Sequence, residues 1–296
     1  MATLTANGIE LGYDSFGDRN AGTMLLIAGL GTQRVRWPVP FCESLTMQGY
    51  RVIRFDNRDA GCSTHFRDAP APDLRALAAA LAAGEQPRVP YTLHDMADDA
   101  IGLLDTLGIE RAHLVGRSMG GMIAQIAASK YPERILSLTS IMSSTGNPDL
   151  PSASPEVMAK LTQPAPDPFD DEAGYLSHSL AFARLIASPA YPFDEDGQRA
   201  LILEEARRAY DPGGFARQIA AIGGTGDIRP LLANITIPAL VLHGAADALI
   251  PAACGRDTAS SIRGAEFMLI DGMGHDLPAS LYQTVADAIV RVARRL

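Results

Sequence analysis

Apolar residues fall along this chain in two rhythms. Short unbroken runs, most of them closed by Gly or Asp, are TMLLIAG (23–29), YRVIRFD (50–56), AHLVG (112–116), ILSLTSIM (135–142), IPALVLHG (237–244) and EFMLID (266–271). Their shortness, β-branched content and lack of polar alternation predict strands covered on both faces, as in a parallel sheet. Between them apolar positions recur at helical spacing. In YTLHDMADDAIGLLDTLG (91–108), Thr92 and Asp95 form a capping box with Asp in place of Glu. Met96, Ala100, Ile101, Leu104 and Leu107 then make one apolar stripe, and Gly108 ends the helix. Strand and helix in alternation predict an open α/β sheet with right-handed crossovers. The first stretch, GIELGYDSFG, alternates more and suits an antiparallel edge hairpin.

Two segments break the alternation. Residues 64–91 are Ala- and Pro-rich and predict a loop with a short helix. Residues 143–230 carry many prolines, two Gly pairs and helical pieces such as DEAGYLSHSLAFARLIA and GQRALILEEARRAYD, but no convincing strand. Strand runs resume at 237, so this block reads as a helical insertion between two strands of one sheet. The core is then 1–142 with 231–296.

Composition narrows the function. At 296 residues, 47% hydrophobic and 20% charged, the chain is globular, as one large domain or two ordinary ones. A net charge of −9 without any basic run argues against nucleic acid. Cys42, Cys62 and Cys254 show no metal-ligand spacing, and their odd number excludes a full disulfide framework, so they read as thiols in a reducing compartment. The N-terminus has no basic and apolar leader, and no apolar segment approaches the roughly 20 residues of a membrane span. The expectation is a soluble, cytoplasmic protein with no cofactor and no metal. Its oligomeric state is unreadable.

The chemistry gathers at strand ends, where open parallel sheets bind ligands. Ser118 follows AHLVG inside GRSMG, a G-x-S-x-G pattern between a strand and a helix. A turn serine is the bland alternative. Glycines at 116 and 120 allow a tight reversal that strains Ser118 and lifts its hydroxyl above the sheet. Asp247 lies just past VLHG, and His275 just past EFMLID. Alone, either suits a turn or a satisfied loop. In the order Ser, Asp, His, at successive strand ends, they predict a nucleophile, an orienting acid and a base. The developing oxyanion needs two backbone donors, assigned to the N–H of Met119 and the N–H of Leu30 in AGLGT. His243 reads as a packed residue, and His65 as one that could reach a pocket mouth. Arg117 is either a surface ion-pair partner or a substrate contact. Trp37 and Met142 read as core or pocket wall.

These motifs together resemble the α/β-hydrolase superfamily over nearly the whole chain. FDNRDAGCST (55–64) is similar to its Asp-x-Arg-Gly-x-Gly-x-Ser loop, with Asp56, Arg58, Gly61 and Ser63 at the matching, structural positions. RDAGCST with TGDIRPLLANITIPALVLHG most resembles the aclacinomycin methylesterase group. The resemblance implies a mostly parallel eight-stranded sheet with helices on both faces, and a helical cap over residues 143–230. It implies a serine carboxylic ester hydrolase, with a bulky polyketide ester or macrolide lactone as the small-molecule partner. Rival readings are a C–C bond hydrolase or perhydrolase on the same residues, and a ligand receptor on a hydrolase fold. Two positions depart from the pattern. Ala28 stands where many members have His, and Asp59 where many have Gly.

Overall fold

The apolar runs become strands because helices cover both of their faces. The computed structural model describes residues 2–85 and 87–295. Eight strands form one sheet: β1 (Ala2–Ala6), β2 (Ile9–Phe16), β3 (Thr23–Ile27), β4 (Arg51–Phe55), β5 (Ala112–Arg117), β6 (Ile135–Ile141), β7 (Ala239–Gly244) and β8 (Glu266–Ile270). Their spatial order is β1-β2-β4-β3-β5-β6-β7-β8. The first two pairings are antiparallel and the rest are parallel.

The helices are α1 (Val39–Thr46), α2 (Leu74–Ala82), α3 (Leu93–Thr106), α4 (Met119–Lys130), α5 (Pro155–Thr162), α6 (Glu172–Leu185), α7 (Glu195–Arg208), α8 (Pro212–Thr225), α9 (Arg229–Leu232), α10 (Ala252–Ser261) and α11 (Tyr282–Ala293). Alternate residues of β3 serve opposite cores. Leu25 and Ile27 pack with Met96, Leu104 and Ile123 of α3 and α4. Met24 and Leu26 pack with Phe41, Val285 and Ile289 of α1 and α11. Period-two side-chain direction in a doubly covered strand requires both faces to be apolar, hence the unbroken runs.

The Asp95 carboxylate accepts from the Thr92 backbone N–H at 2.7 Å and from its hydroxyl at 2.8 Å, and α3 starts there. At the N-terminus the hairpin turn falls at Asn7–Gly8, both at positive φ, rather than within residues 8–17. An Asn-Gly pair supplies the two left-handed positions of a hairpin turn without strain. Residues 9–16 therefore run on as one strand from the edge partner β1 to β4.

Between β6 and β7 the described residues are helical or irregular. Helices α6 and α7 share a small cluster of their own, Leu176, Leu180 and Ile202. By contrast Ala221 of α8 and Leu232 of α9 join the main core. The insertion is thus anchored at its C-terminal end, where the Thr225 hydroxyl accepts the Leu93 N–H that opens α3.

The loop after β4 ties these parts together. Asp56 is buried and accepts from Arg34, Arg208 and the Cys62 N–H. Arg58 makes a buried two-pronged pair with Asp99 of α3 at 2.6 and 2.7 Å, and Asn7 donates to the same carboxylate. Asp99→Ala leaves that guanidinium buried without its partner. It is expected to cost about 3–5 kcal/mol, read as a lower urea midpoint with an unchanged slope.

Candidate active site

Strand β5 ends at Arg117 and helix α4 begins at Met119, so Ser118 alone makes the bend. Its φ of 54° and ψ of −126° lie in a region costly for a side-chain-bearing residue, on the order of 1–3 kcal/mol. Neighbouring atoms hold it there. The Ser118 N–H donates to Ile141 O at 2.9 Å, and the Ser143 hydroxyl donates to Ser118 O at 2.7 Å. Both flanking glycines are forced by space. A Cβ at 116 would lie 2.0 Å from Gly120 O, and one at 120 would lie 2.2 Å from Ile27 O. No other residue fits either position without moving the strand or the helix.

The structure brings the three predicted side chains into one chain of contacts. His275 Nε2 lies 3.0 Å from Ser118 Oγ, and His275 Nδ1 lies 2.7 Å from Asp247 Oδ2. A carboxylate can only accept, so Nδ1 carries the proton and Nε2 faces the hydroxyl with a free lone pair. The other Asp247 oxygen accepts the Leu249 and Ile250 N–H groups at 2.9 and 2.8 Å. Burial alone would raise the Asp247 pKa, but the His275 charge, hydrogen bonding from the His243 and His275 rings, and the Ile250 N–H outweigh it and lower it from 3.8 to about 2. Asp247 is therefore ionised throughout the neutral range.

The loop after β3 abuts the serine: a Cβ at Gly29 would touch Ser118 Cβ at 3.2 Å. Neither the Leu30 N–H nor the Met119 N–H donates to any acceptor among the described residues. Met119 opens α4, where helix geometry leaves backbone donors free. The loop that carries Ala28 is held by other groups. Asn57 donates to Ala28 O at 3.0 Å, and Gly31 N–H donates to Gln218 Oε1 at 2.7 Å.

Gln218 is one of the residues that sequence reasoning missed. It lies in α8, is fully buried, and its amide nitrogen donates to Arg58 O at 2.8 Å. A second group clamps the histidine loop. His275 N–H donates to Ile186 O and Gly274 N–H to the Ser188 hydroxyl, both at 2.8 Å, while Ser188 donates to Asp276. The partners in the insertion carried no spacing signal.

His243 is fully buried, bonds Ile250 O at 2.8 Å, and lies 3.5 Å from Asp247 Oδ2. His65 is engaged on both ring nitrogens, by Asp211 and Gly61 O. Asp59, His65 and Asp211 bring ligand atoms within 4.8 Å of one another, but Arg217 already fills the cationic place and donates to both carboxylates. Trp37 and Met142 are fully buried. The surface ion-pair reading of Arg117 fails. Its side chain is half-buried, makes no ion pair among the described residues, donates to Arg36 O at 3.0 Å, and lies 5.7 Å over the Trp37 ring. Burial, reinforced by the Arg36 charge, lowers its pKa to about 10.

An alcohol facing an imidazole facing a carboxylate, on loops at one end of a mostly parallel sheet, is the arrangement of an esterase-type hydrolase. The chain belongs to the α/β hydrolase fold family, whose sequence pattern matches residues 22–172. Among curated proteins it is similar to rhodomycin D methylesterase DnrP of Streptomyces peucetius, at 30% identity covering 97% of this chain and 95% of that one. Rhodomycin D methylesterase DauP of Streptomyces sp. strain C5 is 29% identical with the same coverage. Among solved structures, the enol-lactonase of Burkholderia xenovorans LB400 superposes with a TM-score of 0.72 at 28% identity, over 98% of this chain and 99% of that one. No helix among the described residues is long and apolar enough to cross a membrane.

Proposed function

We propose that the protein is a serine carboxylic ester hydrolase that works through an acyl-enzyme. The observation that carries this is the unbroken run from Ser118 Oγ through His275 to Asp247, at 3.0 and 2.7 Å. In the first half-reaction Ser118 Oγ attacks the ester carbonyl while its proton passes to His275 Nε2. The tetrahedral oxyanion is held by the N–H groups of Leu30 and Met119. Collapse of that intermediate expels the alcohol, which takes the proton back from His275. Water then repeats the sequence on the acyl-enzyme and releases the acid. Asp247 fixes the imidazole tautomer and stabilises the imidazolium without taking the proton.

Residues 143–230 form the cap in this reading, and core residues 1–142 and 231–296 carry the three side chains. A bulky polyketide ester or a macrolide lactone is the favoured substrate class, supported by likeness to proteins named as methylesterases and an enol-lactonase. The test is a panel of esters and lactones, including methyl esters of polyketides, run on wild type and Ser118→Ala. Turnover by wild type alone supports the reading. Turnover that survives in Ser118→Ala removes it. Labelling of Ser118 by a fluorophosphonate, without turnover of any panel member, favours a ligand receptor instead.

Gln218 is a positioning residue here, because it fixes the peptide next to the Leu30 donor from the insertion side. Gln218→Met is expected to lower kcat about 10- to 100-fold with KM little changed, since small displacements of an oxyanion donor are costly. Gln218→Glu keeps the acceptor for Gly31 and should recover part of the loss. A fall in KM and kcat alike, or no rescue, would mean a purely structural role.

A further inference from the structure

Two guanidinium groups lie together near the end of β5, and only one of them has a carboxylate partner. Arg36 donates twice to Glu205 of α7, at 2.8 and 2.6 Å. Arg117 makes no ion pair among the described residues, and its one hydrogen bond uses Nη1. Val115, two residues earlier on the same face of β5, packs in the α1–α11 cluster. The Arg117 side chain therefore rises on that face toward Trp37, at the end of the strand that presents Ser118. Oδ1 of the Asp276 carboxylate next to His275 is taken by the Ser188 N–H and hydroxyl, and Asp276 makes no ion pair with Arg117.

A half-buried cation without a direct ion pair contributes little to folding. Packing against Trp37 would be served as well by Leu or Met. With Nη1 held by Arg36 O, the Nε–Nη2 edge of the planar fork stays free, the edge that a carboxylate takes with two parallel hydrogen bonds. Arg117 also keeps some accessible surface. Burial weakens its hold on the proton, but at about 10 its pKa still leaves it charged at neutral pH.

We propose that Arg117 reads a carboxylate on the substrate, so that the favoured ester or lactone carries an acid group a few bonds from the reacting carbonyl. This rests on the esterase reading of Ser118 and narrows it to anionic substrates.

The p-nitrophenyl hydrogen esters of succinate, glutarate and adipate are compared with their methyl-capped counterparts, each corrected for uncatalysed hydrolysis. Wild type is expected to prefer at least one acid over its capped form by tenfold or more in kcat/KM. Arg117→Gln should abolish that preference, and Arg117→Lys, with charge but no fork, should keep part of it. Equal rates on acid and capped esters, or a preference that survives Arg117→Gln, overturn the proposal.

Binding is read separately, because Trp37 is the only tryptophan of the chain. Free diacid titrated onto Ser118→Ala should change its emission, and the Ser118→Ala/Arg117→Gln pair should show no change. If wild type hydrolyses no ester, this titration still decides. Binding that requires Arg117 keeps the anion site while the esterase reading falls, and absence of binding removes both.

Discussion

Ser118→Ala is expected to lower kcat by about a million-fold, the loss met when a positioned serine nucleophile is deleted. The alanine keeps the elbow, because the φ of 54° is enforced by Gly116, Gly120 and the Ile141 and Ser143 contacts rather than by the hydroxyl. What disappears is the atom that forms the acyl bond. His275→Ala should cost about as much, since an unassisted hydroxyl is a poor nucleophile at neutral pH. The double variant should then be no worse than either single one, because the two side chains act as a unit. p-Nitrophenolate release under single-turnover conditions measures all three, and mass spectrometry shows whether an acyl group accumulates on residue 118. Losses that add in the double variant would mean that the two residues act independently.

Asp247→Asn should lower kcat about ten-thousand-fold while leaving the fold intact. The asparagine amide can donate to Nδ1, which places the ring proton on Nε2, the nitrogen 3.0 Å from Ser118 Oγ. That nitrogen then cannot accept. His243 offers no substitute, since its Nε2 is committed to Ile250 O. Full activity in Asp247→Asn would move the acid role elsewhere.

The same carboxylate leaves a mark on stability. Its pKa is about 2 in the folded protein against 3.8 for the free group, so the folded state binds the proton more weakly. The stabilisation, about 2 kcal/mol at one pKa unit per 1.4 kcal/mol, is fully present above pH 3.8 and is lost as pH falls toward 2. The urea midpoint of wild type should therefore fall more steeply across that window than that of Asp247→Asn. Parallel curves would show that Asp247 is not held by these donors.

The sequence by itself determined what depends on near neighbours. Apolar runs marked the central strands, because helices on both faces leave no polar side to alternate. Thr92 with Asp95 and Gly108 marked the limits of α3. The Ser118 bend was legible for the same reason: two glycines and one serine within five residues encode its geometry. For Asp247 and His275 the chain order and the strand ends were legible, but not the 2.7 and 3.0 Å that join them across 28 and 157 residues.

Tertiary structure alone decided which distant groups brace the site. Gln218 holds the loop after β3 from 187 residues away, and the Ile186–Ser188 segment holds the histidine loop. Neither has a periodicity or motif, because a single buried hydrogen bond constrains one side chain and leaves its neighbours free to vary. Arg117 shows the same limit for charge. Composition counts an arginine as solvated by default, and only the placement of Trp37, Arg36 and α7 around it makes it a half-buried cation without an ion pair beside Ser118. Local steric rules are written in adjacent residues. Burial and counter-charge belong to whatever the fold brings near, and so they appear only once the chain is folded.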